Sequence, residues 1–171
     1  YEIGVRLVGS EMCIRDRNYR RLTRIPAPIR TQISIAELFT DLKKLFPEEE
    51  FQFEVPSPEL KLNVDRTQIE QILINLLKNA REACSRKSDK KIQVKARKLS
   101  VGNTTLTISD NGEGILPDVL DKIFVPFFTT KTSGSGIGLS LCKQIMTLHE
   151  GSINVKSEVG KGSSFILTFP K

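Results

Sequence analysis

The hydrophobic period of this chain switches from that of a helix to that of a strand and back, and one layered fold has to accommodate every switch. From Asp65 or Thr67 to about Ser85, Ile69, Ile72, Leu73, Leu76, Leu77, Ala80 and Ala83 share one arc of a wheel turned by about 100° per residue. KIQVKARKL and NTTLTIS then alternate on either side of VGN, the pattern of a hairpin. Upstream, ISIAELFTDLKKLF places Ile35, Leu38, Phe39, Leu42, Leu45 and Phe46 near one face of a helix stopped by Pro47, and FQFEV and KLNV read as short strands. Downstream, GIGLSLCKQIMTLHE is helical and GSINVKSEVGKGSSFILTFP is a strand, turn and strand. A helix with a single apolar arc must bury it against a second layer. The order predicts an α+β fold, a two-layer α/β sandwich with helices on one face of a mixed, mostly antiparallel sheet.

With 171 residues, 39% of them hydrophobic and 27% charged, there is material for one domain core. No apolar run approaches the ~18 residues of a membrane-spanning helix, and the N-terminus lacks a signal-peptide pattern. A cytoplasmic location is expected, with a membrane anchor elsewhere in a parent protein left open. Cys13, Cys84 and Cys142 have no paired spacing, and the single His149 cannot complete a zinc site with them, so reduced thiols are expected. The net charge of +6 raises the question of nucleic acid, yet residues 1–30 hold seven arginines against Glu2, Glu11 and Asp16. The basic excess thus belongs mostly to the leader, and no nucleic-acid partner is expected. Segment 1–17, containing VGSEMCIRDR, resembles a translated adapter sequence and is read as a non-native leader. Residues 18–32, with Pro26 and Pro28, read as a connector into a domain spanning 33–171.

Asparagine is a poor helix former, and the long helix carries two, Asn75 and Asn79, on a polar stripe with Gln68, Gln71 and Glu82. Satisfied, half-exposed amides would explain them as well as a site would. ISDNGEGI ends a strand in Asp110, an acceptor suited to an exocyclic amine such as that of adenine. It then turns through Gly112 and Gly114, which permit close backbone approach; a plain turn remains the alternative. In TTKTSGSGIGLSL, Gly134, Gly136 and Gly138 lead into a helix whose free N–H groups favour anions, either a phosphate site or a glycine-rich cap. No GK[ST] follows, so this is not a Walker motif.

QILINLLKNAREA, DNGEGI, FVPFFTTK and GSGIGLSL, in that order and followed by GKGSSFILTFP, resemble the asparagine, first glycine, phenylalanine and second glycine boxes of sensor histidine kinase catalytic domains. These domains belong to the wider GHKL ATPase family, and the resemblance covers about Ile33 to Pro170. It implies the GHKL fold, ATP and Mg²⁺ as cofactors, and roles for particular residues. Asn79 would offer its side-chain oxygen to Mg²⁺ and Asp110 would hold the adenine amine. Gly112 and Gly114 would let the base lie against the backbone, and Gly134, Gly136 and Gly138 would present N–H groups to phosphates. Ser163 would assist through water. Phe124, Phe127, Phe128, Thr129 and Thr130 would form the ATP lid, the phenylalanines serving packing as well, with Lys131 a phosphate or lid cation.

Departures from the family matter too. Where hydrolytic relatives carry a glutamate that activates water, this chain has Asn75, which cannot act as a general base, so transfer to another acceptor is expected over hydrolysis, and the resemblance implies that the acceptor is a histidine. No H-E-x-x-x-P motif is present. The acceptor would therefore lie on a separate dimerisation hairpin, the parent would be a homodimer with this chain alone monomeric, and the further partner would be a response regulator receiver domain. His149 reads as a satisfied helix-end histidine, and Glu150, where the family has glycine, as a harmless substitution. Gln71 and Glu82 receive no role. A conformational ATPase or anti-sigma-type serine kinase is the alternative within the fold, and a noncatalytic binding module the alternative outside it.

Overall fold

The computed structural model describes residues 25–46, 50–54, 57–132 and 134–171. The leader 1–17 and the earlier part of the connector lie outside them. Strand β1 (Thr31–Ser34) pairs antiparallel with β3 (Lys61–Val64) as a separate two-stranded sheet. Between them come helix α1 (Ile35–Lys43) and strand β2 (Phe51–Glu54). The first helix therefore starts later than its periodicity implies. Ser34 has an extended backbone and caps the helix by accepting from Glu37 N at 3.4 Å, which leaves Ile33 in the strand. Ile35, Leu38, Phe39 and Leu42 are buried as expected, but Leu45 is 64% exposed, because the helix ends at Lys43 and the following turn breaks the register.

Helix α2 (Arg66–Ala83) follows a cap at Asp65, whose Oδ1 accepts from Gln68 N at 3.1 Å. The chain continues through β4 (Ile92–Lys98), β5 (Thr104–Asp110), the single turn α3 (Pro117–Leu120), α4 (Gly138–Leu148), β6 (Ser152–Glu158) and β7 (Gly162–Phe169). The five-stranded sheet has the order β2-β4-β5-β7-β6, with β2 parallel to β4 and the other pairs antiparallel. A parallel pair needs a long crossover, and here β3 and α2 form it. On one sheet face Ile92, Val94, Ala96, Leu106 and Leu167 are wholly buried, as are Ile69, Ile72, Leu73, Leu76 and Leu77 of α2 above them. Helix α2 lies over β5, β4 and β7, and α4 over β6. Each such buried valine, leucine or isoleucine side chain contributes about 1.5–3 kcal/mol. The result is the expected two-layer sandwich.

Packing extends upstream of the expected boundary at Ile33. Ile25 lies against the core, Pro26 O accepts from Gln68 Nε2 at 2.9 Å, and Ile29 N donates to Asp65 Oδ2 at 2.9 Å. Arg30 Nη2 donates to Leu148 O and to Glu150 Oε1. His149 is buried and satisfied: Nδ1 lies 2.8 Å from Ile145 O, and Nε2 accepts from Asp65 N at 3.0 Å. Glu150 is not harmless, because its φ of 58° is the left-handed conformation in which a Cβ costs about 1–2 kcal/mol. Its ion pair with Arg30 offsets part of that cost.

Candidate nucleotide site

The asparagines of α2 occupy one edge of the helix together with Ala83, the asparagines meeting two points of the segment that leads into α4 and Ala83 the turn after β5. Asn75 packs against Gly138, where an added methyl would lie 2.6 Å from Asn75 Nδ2 and 2.7 Å from Oδ1. Asn79 Oδ1 accepts from Lys131 Nζ at 3.3 Å. Ala83 O accepts from Glu113 N at 3.2 Å and would lie 2.6 Å from a methyl on Gly112. Residues four apart on a helix share a face, so α2 gathers two distant loops along one line, one of them at two points.

Asp110 stands at the end of β5, half-buried. Its Oδ1 accepts from Gly112 N at 2.9 Å and Ser163 N at 3.3 Å. Burial raises its carboxyl above the ordinary 3.8, and the two amides offset this only in part. Ser163 is buried, and its hydroxyl lies 2.8 Å from that of Ser157. Ser157 Oγ also accepts from Ile115 N at 2.8 Å and reaches Gly162 O at 3.1 Å, so one hydroxyl ties the Asp110 turn to the β6–β7 hairpin. The sequence did not single out Ser157; only its cross-strand register with Ser163 could have done so.

Several glycines have a reason in the protein itself. Gly114, at φ 74°, would put a methyl 2.2 Å from Glu158 O, and Gly136, at φ 68°, would put one 2.5 Å from the Phe127 carbonyl carbon. A hydrogen bond from Phe127 N to Gly136 O, 2.8 Å, closes the neck of the loop between them. Of the phenylalanines, Phe124 packs on the core beneath Lys143, whose Nζ sits 5.7 Å from the ring centroid. Phe128 is half-buried, whereas Phe127 has a positive φ of 65° and is 42% exposed, so it does not serve the core. Thr129 and Thr130 are exposed.

Helix α4 begins at Gly138 with no side-chain cap, leaving its first N–H groups available to an anion. Asn75 Nδ2 donates to Cys142 Sγ at 3.3 Å, a contact the sequence gave no sign of; burial pushes that thiol up to about 12. Glu82, which received no role from sequence, pairs with Lys131. Gln71 is exposed. Among the described residues no group of His, Cys, Asp and Glu could hold a metal by itself. Asn79 Oδ1 already accepts from a cation, and as a lone neutral oxygen it suits an ion that takes its other ligands from phosphates and water. No helix among the described residues is long and apolar enough to cross a membrane.

Known proteins resemble this chain in sequence and in fold. The profile of the "Histidine kinase-, DNA gyrase B-, and HSP90-like ATPase" family matches residues 64–171. Sensor histidine kinase ZraS of Salmonella typhimurium is 39% identical over 110 residues, 64% of this chain and 23% of that protein. Signal transduction histidine-protein kinase AtoS of Escherichia coli is 42% identical over 109 residues, 64% of this chain and 18% of that protein. The chain thus spans about a fifth of the length of these curated relatives. The solved catalytic domain of histidine kinase ThkA, nucleotide-free, matches with a TM-score of 0.73 and 35% identity, covering 83% of this chain and 95% of that one. ThkA in complex with response regulator protein TrrA matches with a TM-score of 0.73 and 26% identity over 99% of this chain and 51% of that one. A profile match over most of the chain and a catalytic domain matched nearly end to end lead to one assignment: the chain belongs to the histidine kinase-, DNA gyrase B- and HSP90-like ATPase family, as a histidine kinase catalytic, ATP-binding domain.

Proposed function

We propose that this chain binds ATP with Mg²⁺ and acts as the catalytic part of a cytoplasmic two-component kinase module. It would pass the γ-phosphoryl group to a histidine on the dimerisation hairpin of a longer protein, for relay to the receiver domain of a response regulator. The observation that carries this reading is the edge of α2, where Asn75, Asn79 and Ala83 meet Gly138, Lys131 and Gly112. Asp110 accepts the adenine amino group with its carboxylate. The N–H groups at the start of α4 receive phosphate oxygens. Asn79 contributes one oxygen to Mg²⁺, which supplies charge neutralisation on the phosphates when bound.

During transfer the bond from the γ-phosphorus to its bridging oxygen breaks, a bond to an imidazole nitrogen forms, and ADP leaves with the electron pair. What this chain supplies is position and fixed charge. Asn75 favours transfer over hydrolysis, since its amide donates to Cys142 and lies against Gly138 and has no basic atom to activate water. A response regulator partner is supported by the ThkA–TrrA complex.

Calorimetric titration with ATP, with and without Mg²⁺, tests the reading. Saturable binding is expected, lost in Asp110→Asn, with its metal dependence lost in Asn79→Ala. Phosphorylation of a histidine-bearing hairpin added in trans should follow. Folded protein that binds no nucleotide would overturn the reading, and steady ATP turnover without an acceptor would replace it with that of a conformational ATPase.

A further inference from the structure

Glu82 has no part in the roles assigned above, yet it meets Lys131, the expected phosphate or lid cation, at the oxygen those roles reserve for the metal. Lys131 Nζ donates to Asn79 Oδ1 at 3.3 Å and pairs with Glu82, one turn along α2 from Asn79. The turn bearing the lysine is built to aim it. Lys131 N donates to Thr129 Oγ1 at 3.0 Å, Gly134 N donates to Lys131 O at 3.3 Å, and a methyl on Gly134 would lie 2.6 Å from Thr129 Oγ1. This turn sits in the loop closed at its neck by Phe127 and Gly136, so where Lys131 is held, the loop is held.

An ammonium on Asn79 Oδ1 and a divalent ion on the same oxygen compete. A metal about 2.1 Å from that oxygen would stand a few ångströms from the ammonium, and the two cations repel at that range. We propose that Glu82 is a positioning residue that parks the Lys131 ammonium on Asn79 in the nucleotide-free protein, so that Mg²⁺ with nucleotide binds by exchanging with a side-chain cation. The released lysine is then free to move toward the phosphates, and the loop moves with it. Occupancy of the metal site and the position of the loop become one equilibrium. This rests on the nucleotide reading above and adds to it a regulatory contact and a role for Glu82. The pair is half-exposed, with side-chain exposures of 45% and 60%, so the latch is weak, and weakness suits a contact that opens at every binding event.

A double-mutant cycle with Glu82→Gln and Lys131→Met, made in the whole chain, tests it with two measurements. The first is calorimetric affinity for a non-hydrolysable ATP analogue with Mg²⁺. Glu82→Gln should tighten binding by about two- to fivefold, and the gain should vanish in the Lys131→Met background. The second is amide hydrogen exchange over residues 127–136 without nucleotide, which should quicken by a similar factor in either single variant and no further in the double. A Glu82→Gln gain that persists without Lys131 would mean simple repulsion between the carboxylate and the phosphates and would overturn the latch. Unchanged exchange in the single variants would also overturn it. If the unmodified chain binds no nucleotide, the functional reading fails and the metal-exchange inference with it; binding with additive effects sinks the latch alone.

Discussion

Asp110 shows how a residue proposed to hold a ligand sits uneasily in the fold. Its pKa is raised, so the stability it brings is present below the ordinary 3.8 and is lost as pH rises through the raised value. Asparagine keeps an acceptor for Gly112 N and Ser163 N without the charge. Asp110→Asn should therefore make the nucleotide-free protein more stable at neutral pH by about 0.5–1 kcal/mol, read from thermal denaturation, while abolishing ATP binding. A loss of stability would show that the charge is compensated by something not described above. Gly162 is the opposite case, a residue the fold cannot replace. Its φ is 115°, and a methyl there would lie 1.9 Å from Asp110 O. Gly162→Ala should cost about 3 kcal/mol or more by adding a clash to backbone strain, measured by urea denaturation. Both positions were visible in sequence as motif letters. The reason for Gly162 was not, because it lies in a backbone oxygen of a strand distant in sequence.

At the scale of elements, the periodic segments were legible and their ends were not. The apolar arc of α2 and the alternation of β4 and β5 follow from side-chain spacing alone, and they came out as expected. The first helix began late because Ser34 caps it, and Leu45 turned outward because the helix stopped short of Pro47. Both outcomes depend on local hydrogen bonding, which a hydrophobic pattern does not encode. Asp65 is the corresponding cap of α2 and does more, accepting from Ile29 N as well. Burial would raise its carboxyl, but the amides of Ile29, Gln68 and Thr67 outweigh that and hold it below 3.8. Its contribution is present above that ordinary value and is lost as pH falls through the depressed one. Asp65→Ala should destabilise by about 1–2 kcal/mol. Asp65→Asn should keep most of the cap while flattening the acid side of the Tm–pH profile, and an unchanged acid limb would contradict the assignment.

Across the whole molecule, the segment from Ile25 to Arg30 behaves as part of the body it leads into. Through Gln68 and Asp65 it reaches the start of α2, and through Leu148 and Glu150 the end of α4, the two helices that carry the candidate site. A chain starting at Ile25 should keep these contacts, whereas one starting at Thr31 should lose about 1–2 kcal/mol by the removal of three backbone-linked hydrogen bonds and an ion pair. Denaturation midpoints of the two truncations make the comparison, and equal values would show the contacts to be idle. What the sequence could not convey was that its motifs are read along a single line. Asn75, Asn79 and Ala83 are like the teeth of a key cut at one pitch, and each lifts a different pin. One alanine inserted after Leu77 would turn the later teeth by about 100°. Asn75 would stay seated on Gly138 while Asn79 and Ala83 missed their pins together, so binding of Mg²⁺ and of the base should fail in the same variant. In such a lock, re-cutting one tooth disturbs one pin, whereas a slip along the shaft disables every later tooth at once.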